Sequence, residues 1–299
     1  MREQPVSRYS PLKSYFLLGK IYTRGQPAGN FIKDRGSSET IREAFILKDN
    51  LFKNWFIGFL EGKGLFLIKD GHFLEFKIVH SSVDAQILFF IKKNLGFGVV
   101  RKQDEKKNTH CFRVNDKSGL LKIILILNGN IFLESRQEEF KLWVAAYNQK
   151  YGTNISYSTL NNSALPNLSN TWLSGFTDAV GSFHCSDIDF SIDAKLVKLS
   201  YILSQKGNFE QMKFLAELLK GKTHYLENSG VYNTTVNKTK LSLVINYLNK
   251  YPLKTKKSIV FFNWKKIYLL VKSKKHFTEK ELDFMKKYKQ NLNRLAKII

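Results

Sequence analysis

Two short phrases hold the residues of this chain best placed for chemistry. Asn54-Trp55-Phe56-Ile57-Gly58-Phe59-Leu60-Glu61-Gly62-Lys63-Gly64-Leu65-Phe66 is followed 117 positions later by Thr171-Trp172-Leu173-Ser174-Gly175-Phe176-Thr177-Asp178-Ala179-Val180-Gly181-Ser182-Phe183. Each places Trp three residues before a Gly and an acid, Glu61 or Asp178, three residues after it, with a second Gly three further on. A carboxylate from each copy could recruit a metal, or it could do no more than hydrogen-bond near a helix end; the second role is preferred. Lys63 and Val180 stand two residues beyond these acids, and a later run, Lys254, Lys256 and Lys257, supplies cations able to meet phosphate.

The phrases need helices to present them. Gly58 and Gly62, like Gly175 and Ala179, lie four apart and share one bare helical face, so two such helices can pack backbone to backbone and bring two halves together. The elements after each phrase recur in order. In the first half a helix over Phe52–Glu61 leads to alternating strands Leu65–Lys69 and His72–Ile78 around Asp70-Gly71, a tight-hairpin signal. A helix over Val83–Asn94, capped by Ser81 or Ser82, is stopped by Gly96-Phe97-Gly98. Strands Val99–Lys102 and Cys111–Asn115 and closing helices Gly119–Asn128 and Arg136–Lys150 complete the unit. In the second half the same reading gives strands Ser182–Asp187, Leu196–Gln205 and Val231–Val236. It also gives a helix over Phe209–Lys220, with Phe209, Met212, Ala216 and Leu219 inward. The predicted organisation is a basic extension over 1–45, a first domain over 46–155, a polar, turn-rich linker over 156–169, a second domain over 170–273 and a basic helix over 274–299.

The paired phrases, with Leu165-Pro166-Asn167-Leu168-Ser169-Asn170-Thr171-Trp172 and Tyr251-Pro252-Leu253-Lys254-Thr255-Lys256-Lys257, resemble LAGLIDADG homing endonucleases and group I intron maturases of fungal mitochondrial type. The resemblance runs from about Phe45 to Thr278. It implies an α+β fold, a pseudo-symmetric tandem of two αββαββα units whose antiparallel sheets form a basic saddle over a duplex, and hence a monomer with an internal pseudo-dimer. It also implies phosphodiester hydrolysis, in which an acid at the eighth motif position of each half holds Mg²⁺ between the scissile phosphates. Here those positions are Lys63 and Val180, which give a divalent cation no oxygen. Glu61 and Asp178 fall at the sixth position, some 200° around the helix from the metal face. The expectation is therefore a lost Mg²⁺ site, no cofactor and no catalytic residue. Lys254, Lys256 and Lys257 match the basic position near the cleavage centre, while the first-half counterpart, 128–134, has no Lys.

The chain carries 48 Lys and Arg against 25 Asp and Glu, a net charge of +23 over 299 residues, with 43% apolar content. That composition suits a globular core, and its excess charge points to nucleic acid rather than an anionic membrane. The longest apolar run, Leu120–Leu127, contains Lys122 and is too short to span a bilayer. Cys111 and Cys185 are too far apart for a metal spacing and are expected as core thiols. The predicted nucleic-acid contacts are Lys77, Arg101, Lys102 and Arg113 in the first half and Lys195, Lys198, Lys254, Lys256 and Lys257 in the second. Lys265, Lys266, Lys272, Lys274 and Lys275 follow toward the C-terminus. Asp187, Asp189 and Asp193 make the second half's first hairpin acidic. Residues 250–297 hold 15 Lys and Arg against three acids, with an apolar stripe of Ile259, Phe262, Ile267 and Leu270 expected inside. The expected partner is structured RNA, either a group I intron or ribosomal RNA with ribosomal proteins, in the mitochondrial matrix, with an organellar gene as the alternative to a targeting segment over 1–45. A DNA endonuclease or nickase with residual activity, or a non-cleaving DNA-binding protein, is the alternative.

Overall fold

The computed structural model describes residues 50–69, 73–185, 197–273 and 277–298, with side chains to residue 291. The basic segment 1–45, the Asp70-Gly71 turn, Asp187, Asp189, Asp193, Lys195, Lys274 and Lys275 lie outside the described residues. Within them the repeat is complete. The first half runs α1 (Asn50–Lys63), β1 (Gly64–Lys69), β2 (Phe73–Ser81), α2 (Gln86–Leu95), β3 (Val99–Asp104), β4 (Thr109–Val114), α3 (Lys117–Leu127) and α4 (Glu134–Tyr151). The second runs α5 (Trp172–Val180), β5 (Gly181–Cys185), β6 (Leu199–Lys206), α6 (Phe209–Leu219), β7 (Lys222–Leu226), β8 (Val231–Asn237), α7 (Leu241–Lys250) and α8 (Lys257–Ser273). A further helix, α9 (Glu279–Ile298), follows.

Each half forms an antiparallel four-stranded sheet of the same order, β1-β2-β4-β3 and β5-β6-β8-β7. In the first, Phe76 pairs with Val114 and Ile78 with Phe112, and all four point into the core. In the second, Phe183 pairs with Tyr201, which pairs with Val236, and these are likewise buried. The opposite faces of the strands are left to solvent or ligand. Local chemistry fixes the ends of helices. Asp116 Oδ1 accepts from the Gly119 amide at 2.8 Å and starts α3; Gly96 and Gly152, at φ of 76° and 62°, end α2 and α4 in the left-handed conformation that glycine adopts without strain.

Three sequence expectations are corrected. The helix after β2 has no serine cap: residues Ser82–Asp84 form one 3-10 turn and the α-helix starts at Gln86. Phe209 is exposed and packs its ring on Tyr232, because the inward face of α6 is Met212, Leu215, Ala216 and Leu219. In α8, Ile259 and Phe262 point outward. The buried stripe is instead Val260, Phe261, Trp264, Ile267 and Val271, with Phe261 and Trp264 against Phe183 at 5.3 and 5.2 Å between ring centres.

The two halves meet through α1 and α5. A Cβ on Gly58 would lie 2.0 Å from the Trp172 carbonyl oxygen, and one on Gly175 would lie 1.9 Å from the Trp55 carbonyl oxygen. Only glycine permits that approach. Gly62 sits against Ala179 and Val180 further down, so the four small residues predicted to pack the halves together do so. Trp55, Phe56, Phe59, Trp172 and Phe176 fill the space around the crossing; each such side chain contributes about 2 kcal/mol by leaving water.

Candidate nucleic-acid interface

The two motif acids cross the interface. Trp55 Nε1 donates to Asp178 Oδ2 at 2.9 Å, and Trp172 Nε1 donates to Glu61 Oε1 at 3.0 Å. Each Trp therefore holds the acid of the other half. Glu61 also accepts from the amides of Phe132 (3.1 Å) and Leu133 (2.6 Å). Asp178 accepts from the amides of Lys254 (2.8 Å) and Thr255 (3.1 Å) and from Thr255 Oγ1 (2.5 Å). Burial pushes Glu61 up to about 7 against those amides, Trp172 and Arg136. Burial also raises Asp178, opposed by the Lys254 amide, the Thr255 hydroxyl, Trp55 and the Thr255 amide. Both carboxylates point at loops and at the partner helix, as the preferred reading of these residues expected, and their lone pairs are taken up by protein donors.

The ends of α1 and α5 carry different groups. Lys63 is exposed and Val180 half-buried. An ammonium and an isopropyl group do not fit a divalent cation that takes oxygen ligands. A second cation, Lys257, lies close by: its Nζ donates to the Thr177 carbonyl at 3.2 Å, near the end of α5. Burial lowers Lys257 to about 8, with Asp178 opposing, Lys63 adding to the fall and Asp84 opposing. Arg136 does the corresponding work for α1, donating through Nε to the Glu61 carbonyl at 3.0 Å. Cations suit helix C-termini, where carbonyls lack partners. The first half thus does supply a cation here, two residues past the segment 128–134 that has no Lys. Asp84 was also missed. This buried carboxylate accepts from the Lys256 amide at 2.9 Å and lies 3.3 Å from His80 Nε2, tying the first sheet to the second half's basic segment. No local pattern flags a contact across 172 residues.

Strand register places the remaining predicted contacts. Lys69, Lys77, Arg113 and Arg101 share the outward face of the first sheet with Glu75. Arg113 Nε is paired with Glu75 Oε1 at 2.7 Å, which offsets its charge locally. Lys102 is on the other face, paired with Glu105 at 3.2 Å. On the second sheet, Ser182, His184, Ser200, Ile202, Ser204, Asn233 and Thr235 face outward with Lys206, Lys222 and His224. Lys198 is exposed just before β6. Lys254 is exposed, its Nζ 5.1 Å from the Phe90 ring centre. Lys265 donates to Asn249 Oδ1 and Lys266 to the Tyr288 hydroxyl, and Lys272 lies beside Tyr268. Most of the expected contacts therefore fall in three places, the first sheet's outward face, the helix-end junction and α8, while Lys102 and Lys198 lie outside them.

Two tandem sheets joined by glycine-paired helices define the LAGLIDADG architecture, and the family match agrees. Residues 56–147 and 173–268 match the LAGLIDADG endonuclease family, and the chain belongs to it. It is 57% identical over 98% of its length to the "Probable intron-encoded endonuclease 4" of Neurospora crassa. It spans about half of that relative, 53% of its length. An "Uncharacterized cox1 intron-2 37.2 kDa protein" of Schizosaccharomyces pombe is 29% identical over 89% of this chain and 85% of its own. The "Intron-encoded RNA maturase bI4" of Saccharomyces cerevisiae is 24% identical over 77% of this chain and 35% of its own. Among solved structures, the LAGLIDADG meganuclease I-AabMI bound to uncleaved DNA superposes with a TM-score of 0.67 at 22% identity, covering 80% of this chain and 98% of its own. That likeness confirms the α+β tandem fold.

Proposed function

We propose that this chain is a non-cleaving member of the family that binds the folded RNA of a group I intron in the mitochondrion and assists its splicing. The observation that carries the reading is the pair Lys63 and Val180 at the ends of two well-packed motif helices: the crossed Trp–acid hydrogen bonds are formed, while the positions that would hold metal carry none of its ligands. Such a centre binds phosphate and does not activate water. The net charge of +23 supplies the long-range attraction. The relatives' names, an RNA maturase and intron-encoded proteins, support the intron as ligand. Lys63 and Lys257 then contact phosphate, with Arg101, Lys77, Lys254 and Lys265 gripping the backbone around them.

A second reading, a DNA-binding protein that does not cut, is favoured by one observation, the basic outward face of the first sheet on a fold also found bound to DNA.

The test is purification of the protein from its own organelle at low salt, with sequencing of the RNA that travels with it. Recovery of an unspliced intron in light gradient fractions supports the proposal; stoichiometric migration with a ribosomal subunit replaces the intron by ribosomal RNA as ligand. Mg²⁺-dependent cutting of duplex DNA by the unaltered chain would overturn non-cleavage. The double change Lys63→Glu with Val180→Glu is expected to create Mg²⁺ binding, seen by calorimetry, that the unaltered chain lacks.

A further inference from the structure

We propose that the groove between α8 and α9 binds unpaired nucleotides of RNA, with bases stacked on its aromatic rings and phosphates on its lysines. The inference rests on RNA being the ligand and names the part of the RNA taken, away from both sheets.

The groove has a volume of about 560 Å³ and is lined by Lys266, Leu269, Leu270, Ser273, Phe284 and Tyr288. Phe262, one turn before Lys266, extends it. These are not core side chains left at a margin: Phe262 is 54% exposed, Leu269 49% and Phe284 46%. The core of this helical pair is made by other residues, Phe277, Leu282 and Met285 on the α9 side and Trp264, Ile267 and Val271 on the α8 side. The exposed rings therefore contribute nothing to that core, and leaving three large apolar side chains together in water has a cost that a ligand removes.

Charge selects the ligand. Lys266 Nζ lies 4.3 Å from the Phe262 ring centre and 4.9 Å from that of Tyr288, and 3.1 Å from the Tyr288 hydroxyl. An apolar helix laid in the groove would bury this ammonium without an anion, which is costly. A nucleotide offers a flat apolar base to the rings and a phosphate to the ammonium, and aromatic platforms among cations are how single strands are held without sequence preference. Lys280 and Lys287 are exposed one turn to either side of Phe284, and Lys272 is exposed beside Leu269. Of the three acids of α9, Glu281 is bonded to the Thr278 amide and hydroxyl and Asp283 lies 3.7 Å from Lys286, while Glu279 is exposed at the first residue of the helix, more than a turn before Phe284. A base-paired helix cannot use such a site, because its bases are stacked on one another. The α9 wall lies beyond the segments matched to the family.

The test compares the full chain with two variants, using fluorescence anisotropy on labelled oligouridylate and on an RNA duplex of equal length. Phe262→Ala with Phe284→Ala is expected to weaken oligouridylate binding about ten-fold and leave duplex binding unchanged. Phe262→Tyr with Phe284→Tyr keeps the stacking faces and is expected to bind both as the parent does. Thermal melting confirms folding, which exposed positions tolerate. Equal oligouridylate affinity in parent and alanine variant overturns the inference, as happens if the chain's own first 49 residues or a protein partner fill the groove. Equal weakening on both RNAs overturns it too, since the rings then act without regard to unpaired bases. If the parent binds duplex RNA but not oligouridylate, the groove inference falls and RNA as ligand survives; if it binds neither, RNA as ligand falls and takes the groove with it.

Discussion

Trp55 reaches Asp178 and Trp172 reaches Glu61 at nearly equal distances, 2.9 and 3.0 Å, and each acid takes two consecutive amides from the loop before its own half's closing helix. Two residues further on, the halves differ in kind: a lysine in one, a valine in the other. Their outward sheet faces differ as well, cationic with one acid in the first half, largely uncharged in the second. Positions buried between the halves are constrained by packing and by hydrogen bonds that cannot be exchanged for water; positions at the helix ends and on outward faces carry fewer such constraints. A duplicated fold so keeps its symmetry at the seam and sheds it at the surface.

The largest effect that tests this comparison comes from filling the seam. Gly58→Ala and Gly175→Ala each drive a methyl group into a backbone carbonyl, which cannot rotate away, and each is expected to cost about 3 kcal/mol or more. Gly62→Ala meets Val180 Cγ1 at 2.7 Å, which can rotate away, and the Ala179 Cβ at 2.5 Å, which yields only with its backbone, and is expected to cost about 2 kcal/mol. Urea unfolding measures all three. If Gly62→Ala proves as costly as the other two, the seam is uniformly tight and the distinction between backbone and side-chain contact is wrong.

A somewhat smaller effect is expected from the acids. Asp178→Ala strands four donors and Glu61→Ala three, so the first should lose about 2.5 kcal/mol and the second about 2. Trp55→Phe and Trp172→Phe, combined with these in double-mutant cycles, should show coupling only across the seam, Trp55 with Asp178 and Trp172 with Glu61. Coupling of Trp55 to Glu61 of its own helix would break the crossed arrangement.

What the sequence reveals follows from how local each signal is. The glycine spacing, the paired phrases and the hairpins are local, and they yielded the tandem fold and the contacts of Gly58, Gly62, Gly175 and Ala179. The inward stripe of α8 was misread because that helix has two apolar stripes, Ile259 with Phe262 and Phe261 with Trp264. The position of Phe183, far away in sequence, decides which one is buried. Asp84, Arg136 and the charge on Glu61 are likewise set by neighbours that no spacing rule names. The pairing of Arg113 with Glu75 is not legible in the sequence either, because it depends on a register fixed only once both hairpins have formed.

The smallest effect separates the two cations that cap the motif helices. Lys257 titrates near 8 in the folded chain and near its usual 10.5 when unfolded. Below pH 8 it is charged in both states and the folded chain bears the whole cost of its burial. Between pH 8 and 10.5 the folded form has released its proton and the unfolded form has not. The unfolded state then binds more protons, and stability rises with pH. Relative to Lys257→Met, the parent should therefore gain about 2 kcal/mol across that window, a figure reduced for the partial exposure of the group. Lys63→Ala removes a repelling neighbour, raises Lys257 and should shrink the gain. Arg136 remains charged throughout, so Arg136→Met alters the pH dependence only through Glu61, whose rise to about 7 Arg136 opposes, and adds nothing of its own between pH 8 and 10.5. Identical pH dependence for the parent and Lys257→Met in urea unfolding would show that Lys257 caps its helix as Arg136 does, and that the junction's asymmetry stops at Lys63 and Val180.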